Sequence, residues 1–207
     1  MSKVFLASRN AKKLAEMERI LREHLPAGHA IEVLGLDDVA AYAEPVEDQP
    51  TFEGNALLKA RAGLEATGLP TVADDSGLCV DALNGMPGVL SARWSGPPKD
   101  DDRNNRLLLD QLADVPDERR GAHFVCAVAF CAAPDEELVV HGEMPGRIIH
   151  EVRGDGGFGY DVVFEADDRP GVTTAELAVT DKDAISHRGK ALRQLAPQVA
   201  LLLAPAD

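Results

Sequence analysis

Aromatic side chains are scarce, at 4% of 207 residues, with one Trp, two Tyr and six Phe. A core must therefore be built mainly from Ala, Val and Leu, and the few rings carry information where they gather. Cysteine is scarcer still. Cys79, Cys126 and Cys131 cannot all pair with one another, and none shows CxxC spacing or a His at metal-ligand spacing. Each sits in an apolar, strand-like run, so they read as reduced core thiols, with a nucleophilic cysteine as the alternative. Positive charge is short as well: 21 Lys and Arg stand against 35 Asp and Glu, a formal net charge of −14. That balance excludes a nonspecific nucleic-acid binder, which needs a basic surface to displace counterions. A polyanion would have to bind in a locally basic pocket and arrive with a divalent cation. Long hydrophobic runs are missing too. Stretches such as Ala127–Ala133 fall far short of the roughly 20 residues of a membrane span, and the opening apolar run Val4–Ala7 is only strand-length. The expectation is a cytoplasmic chain with no membrane partner.

What is present alternates between strand and helix signals. Val4–Ala7 reads as a strand, and Ser8-Arg9-Asn10 offers caps for a helix over Ala11–His24, with Leu14, Met17, Leu21 and Leu25 at helical spacing. Ile31–Leu36 suggests a second strand, and Thr51–Ala66 a helix with Ala56, Leu57, Ala60 and Leu64 inward. Thr71–Ala73 and Leu78–Val80 are short extended runs, with Asp74–Gly77 reading as a turn between them. A helix over Asp100–Leu112 precedes two β-rich segments, Ala122–Ala132 and Leu138–Ile149, joined at Pro134-Asp135. A strand at Val162–Glu165 and a closing helix over Ala184–Leu203 follow. The pattern predicts an α/β fold: a mixed β-sheet with flanking helices, in a single domain over residues 1–207 with two lobes around a central cleft.

Four segments can carry chemistry. Ser8 to Lys13 places helix N–H groups and the lysines Lys12 and Lys13 where a strand gives way to a helix, an arrangement that favours anions, although a capped helix with a solvated basic face is the plain alternative. It lacks the glycines of a P-loop. Asp74-Asp75, with Glu47 and Glu53 nearby in sequence, offers hard oxygen ligands that suit Mg²⁺, while DDSG is equally a good turn sequence. Gly156-Gly157-Phe158-Gly159-Tyr160-Asp161 lifts two rings from a pliant backbone, either to stack on a base or to anchor a tight hairpin. Ser186-His187-Arg188-Gly189-Lys190, with Lys182 upstream, is either a donor cluster for phosphate or carbonyl oxygens or a basic helix start.

In this order the segments resemble the inosine-triphosphate pyrophosphatase family, enzymes that hydrolyse non-standard purine nucleoside triphosphates. The resemblance rests on Ser8-x-Asn10-x-x-Lys13, TFEGNALLKA at Thr51–Ala60, ADDSGLCVDALNGMPGVLSARW at Ala73–Trp94, GGFGYD at Gly156–Asp161 and AISHRGKAL at Ala184–Leu192, which together span nearly the whole chain. It implies hydrolysis of ITP, dITP and XTP to the monophosphate and pyrophosphate, with Mg²⁺, in a homodimer. By the same resemblance Asp75 is the catalytic proton acceptor and a metal ligand, Glu47 a second acidic ligand, and Asp74 their neighbour on the metal. Ser8, Arg9, Asn10, Ala11, Lys12, Lys13 and Lys59 would bind phosphate, and Ser76 would touch the substrate. Phe158, Gly159, Tyr160, Asp161, Lys182, His187 and Arg188 would hold the nucleoside. Two residues depart from the family pattern: Arg9 stands where many relatives have Gly, and Gly54 where many have an acid. A pyrophosphatase for modified pyrimidine nucleotides and a nucleotide-binding module without turnover are the rival readings.

Overall fold

Side-chain alternation along the strands sets the architecture, because successive strand residues point to opposite faces of a sheet. The computed structural model describes residues 2–9, 11–24 and 31–203, with the backbone alone at 11, 12 and 203. Its strands are β1 (Ser2–Leu6), β2 (Ile31–Leu34), β3 (Thr71–Val80), β4 (Met86–Pro87), β5 (Gly121–Ala133), β6 (Glu136–Ile148) and β7 (Phe164–Ala166). Its α-helices are α1 (Ala11–His24), α2 (Phe52–Thr67), α3 (Asp101–Gln111), α4 (Val179–Ile185) and α5 (His187–Leu203). Among the described residues the strands form one mixed sheet in the order β2-β1-β3-β5-β6-β7, with β4 on β3. β1 runs parallel to β2 and β3, whereas β3 with β4 and β6 with β7 are antiparallel. No described helix is long and apolar enough to cross a membrane.

The chain divides into two compact units, Met1–Asp75 with Cys126–His141 and Arg188–Asp207, and Ser76–Val125 with Gly142–His187. In the first, Cys126, Val128 and Phe130 of β5 join Val4, Leu6 and Val72 in a cluster with Met17 and Ile20 of α1 and Leu195 and Val199 of α5. The alternate residues Ala127, Ala129 and Cys131 join Ala73 against Ala56 and Ala60 of α2. One sheet face thus takes α1 and α5, and the other takes α2. Small residues let α2 come close: a Cβ at Gly63 would stand 2.7 Å from Thr71 Cγ2 and 2.9 Å from the Phe5 ring. The second unit buries Leu78, Leu108, Phe124, Met144, Ile148 and Phe164 in one cluster, and Arg120 of the same unit is 2% exposed. Arg120 donates to the carbonyls of Leu112 (2.6 Å), Ile148 (2.8 Å) and Ile149 (2.9 Å), so the cation ends in the carbonyls at the C-terminus of α3 and at the end of β6.

Two expectations fail. DDSG is not a turn; β3 runs unbroken through it. The closing helix is also split, since Ser186 (φ −62°, ψ 144°) interrupts it between α4 and α5. Leu25, expected on the buried face of α1, lies outside the described residues.

Candidate active site

Because Asp74 and Asp75 sit in a strand, they project to opposite faces. Asp74 follows Val72 toward α1 and α5, and both its oxygens accept from Lys13 Nζ at 2.7 Å, with Arg188 Nε at 3.3 Å. Leu6, Met17, Val72, Val128 and Leu192 wall this cluster, so its charges interact with little water to screen them. Burial pushes the Asp74 carboxyl up, but Lys13 and Arg188 outweigh it and hold the group far below the usual carboxylate range.

Asp75 follows Ala73 toward α2. Its Oδ2 accepts from Asn55 Nδ2 at 2.9 Å, and Lys59 Nζ stands 3.7 Å from its Oδ1 and 2.8 Å from Glu47 Oε1. Desolvation raises the Asp75 pKa, and Glu47 and Asp74 add to the rise against the pull of Lys59 and Asn55. The two carboxylates of Glu47 and Asp75 therefore share one cation on the α2 face, and the geometry separates Asp74 from them. Asn55, 1% exposed, also accepts from Gln49 N at 3.0 Å and so ties down the segment that carries Glu47. Sequence reasoning passed over Asn55; the available signal was an amide beside the inward Ala56 and Ala60 of α2. Gly54 spends its N–H on the Thr51 cap (3.0 Å), and a Cβ there would meet Gln49 Cβ at 2.8 Å, so an acid at this position would displace that segment. Glu53 pairs instead with His141 at 3.8 Å.

Of the phosphate segment, Ser8 lies half-buried two residues beyond β1, and its carbonyl accepts from Leu36 N at 3.2 Å. Arg9 is exposed and engaged by Glu44 (2.6 Å) and Asp37 (3.7 Å). Asn10 and the side chains of Ala11 and Lys12 lie outside the described residues.

In the second unit Ser76 continues β3, half-buried. Asp161, 3% exposed, is occupied on both oxygens: Oδ2 accepts from Phe158 N (2.9 Å) and from Lys182 Nζ, and Oδ1 from Thr174 Oγ1 (2.8 Å). The loop passes so close that a Cβ at Gly157, where φ is +74°, would lie 2.1 Å from Asp161 Oδ2, so only glycine fits. Of the two expected rings only Phe158 is presented, 61% exposed, with Lys182 Nζ 5.2 Å from its centroid. Tyr160 is buried and donates to Ser91 O at 2.9 Å, which makes it an anchor of the loop rather than a stacking platform. His187 stacks on Phe124 at 5.0 Å between centroids and 12° between planes, a neighbour invisible in the local sequence.

The cysteines are free, and burial raises each thiol, Cys131 to about 11. They stay protonated at neutral pH. A variant with Ser or Ala at all three positions is expected to keep its substrate turnover and to lose only stability; loss of turnover in a folded protein would restore the thiol as nucleophile.

The chain is similar to known proteins over most of its length. The model of the Ham1 family matches residues 4–198. A dITP/XTP pyrophosphatase of Nocardia farcinica is 60% identical over 202 residues, 98% of this chain and 97% of its own. One from Mycolicibacterium paratuberculosis is 58% identical, with 98% of each chain covered. Among solved structures, a nucleoside-triphosphatase, or dITP/XTP pyrophosphatase, of Mycobacterium abscessus superposes with a TM-score of 0.78 at 54% identity, covering 94% of this chain and 99% of its own. A HAM1 protein of Coxiella burnetii gives 0.88 at 38% identity, covering 97% and 100%.

Proposed function

The chain belongs to the Ham1 family, and from that premise we propose that it hydrolyses non-standard purine nucleoside triphosphates such as dITP, ITP and XTP to the monophosphate and pyrophosphate. The observation that carries this reading is the Asp75–Asn55–Lys59–Glu47 group on the α2 face: a desolvated carboxylate of raised pKa held beside a second carboxylate and a cation.

Water attacks the α-phosphorus; Asp75 takes its proton as the new P–O bond forms, and the bond to the bridging oxygen breaks as pyrophosphate departs. Lys13 and Lys59 hold the phosphate charge that an acidic protein would otherwise repel, while Phe158, Lys182 and His187 hold the nucleoside. Asp74 fixes Lys13 and Arg188, and Asp161 fixes Phe158 and Lys182, so both carboxylates are engaged in holding cations and the loop. Glu47 and Asp75 are hard oxygen donors sharing one cation, which fits Mg²⁺, an ion that takes only one or two protein carboxylates and fills its shell with waters and substrate phosphates. When bound there it supplies charge neutralisation on the phosphates. We further propose a homodimer, which the family resemblance implies, working in the cytoplasm.

A hydrolysis assay with dITP, XTP, dUTP, ATP and GTP, with and without Mg²⁺, tests the reading. Pyrophosphate release from the purine substrates is expected, and the diphosphate appearing with orthophosphate overturns it. Arg188, bonded to Asp74, is the residue whose partner on the substrate is open to test. If it reads the 6-carbonyl of the base, Arg188→Ala loses ITP activity more than ATP activity and narrows the gap between them. Equal losses in kcat/KM assign it to phosphate.

A further inference from the structure

We propose that Asp101 and Asn105, one turn apart on α3, are positioning residues of the nucleoside subsite that hold Gly159 by both its backbone groups and thereby fix how Phe158 is presented. This rests on the functional reading above. Gly159 N donates to Asp101 Oδ2 at 2.8 Å, and Asn105 Nδ2 donates to Gly159 O at 2.8 Å. The same amide donates to the backbone carbonyl of Asp101 at 2.9 Å, which fixes the Asn105 side chain on the turn that carries Asp101.

The loop needs such a clamp. Three of the four residues from Gly156 to Gly159 are glycines, with Gly157 and Gly159 at positive φ, and glycine loses the most conformational freedom on ordering. Phe158 is 61% exposed, so core packing does little to place its ring; its position follows from the backbone on either side. Asp161 fixes the Phe158 N–H, and α3 fixes the next residue. Asn105 is 3% exposed, and its Oδ1 has no hydrogen-bond partner among the described residues. A half-satisfied buried amide is a stability loss, so packing alone does not account for an Asn at this position. Both residues lie outside every segment that carries the family resemblance.

The test uses the full chain and three variants, Asp101→Ala, Asp101→Asn and Asn105→Ala. Asp100 remains as the α3 N-cap in all of them, accepting from Arg103 N at 3.0 Å, and thermal melting checks that each is folded. Amide hydrogen exchange at Gly159, read by NMR, reports the clamp directly, and dITP kinetics report its consequence. In Asp101→Ala, exchange at Gly159 accelerates and the KM for dITP rises about tenfold, the scale of one hydrogen bond, with kcat within about twofold. Asp101→Asn, which keeps an acceptor oxygen, restores both; Asn105→Ala behaves as Asp101→Ala if it folds. Phe158→Ala raises KM without changing exchange at residues 101–105. Unchanged exchange at Gly159 in Asp101→Ala overturns the clamp. Faster exchange with an unchanged KM, in an enzyme that does hydrolyse dITP, overturns the positioning role and leaves the functional reading standing. A wild-type enzyme that leaves dITP intact overturns the functional reading, and the nucleoside role falls with it.

Discussion

An Asp75→Asn enzyme is expected to fold normally and to lose turnover of dITP by roughly 10²-fold or more, the scale of removing a general base. The amide keeps a carbonyl oxygen for Asn55, and Lys59 keeps Glu47 at 2.8 Å. Stability moves the other way from activity. A carboxyl whose folded pKa is raised is harder to ionise in the fold than in the unfolded chain, so at neutral pH the ionised Asp75 works against folding. The neutral amide removes that penalty, and the melting temperature of the variant equals or exceeds that of wild type at neutrality. The advantage disappears in acid below the ordinary Asp range, where the carboxyl is protonated in both states. A near-normal rate takes Asp75 out of the chemistry. A lowered melting temperature at neutrality contradicts the desolvated-carboxylate account.

Why so much of the fold could be anticipated, and some of the candidate site could not, comes down to the distance over which a sequence signal acts. The α1 range, the α2 range and the β5–β6 hairpin at Pro134-Asp135 are local, set by periodicity and turn chemistry within a few residues, and they appear where expected within a residue or two. DDSG misleads because its turn propensity is also local, while the strand is imposed from outside. β1 pairs with Thr71 and Val72, β4 pairs with Cys79 and Val80, and cations from α1, α2 and α5 compensate the two acids. Reading the segment as a turn hid the most consequential fact about it, that adjacent aspartates face opposite ways. Asn55, Asp101, Asn105 and Phe124 escaped notice for the same reason. Each acts on a residue far along the chain, Asn105 on Gly159 54 positions away, and no spacing rule links them.

Replacing Asp74 by Asn tests the other face. The carboxylate is buried and paired with two cations whose side chains are themselves 21% and 13% exposed, so removing its charge takes from Lys13 and Arg188 the carboxylate that both of them bond. Breaking a buried pair from one side costs about 3–5 kcal/mol; Lys13 can partly relax toward water, which favours the lower end. For a chain of this length each kcal/mol is worth about 2–4 °C, so the melting temperature drops by about 6–12 °C. The pH dependence has a definite sign. Asp74 has a depressed folded pKa, so its stabilisation is fully present above the ordinary Asp range and is lost as pH falls below it. The gap between wild type and variant is therefore constant near neutrality and closes only in strong acid. Inorganic pyrophosphate without metal then separates a structural ion pair from a phosphate site. If Lys13 and Arg188 are phosphate ligands that Asp74 holds in readiness, pyrophosphate supplies the missing negative charge and raises the melting temperature of the variant more than that of wild type. Equal shifts in the two proteins would mean that these cations do not meet the phosphates, and Lys59 alone would be left to bind them.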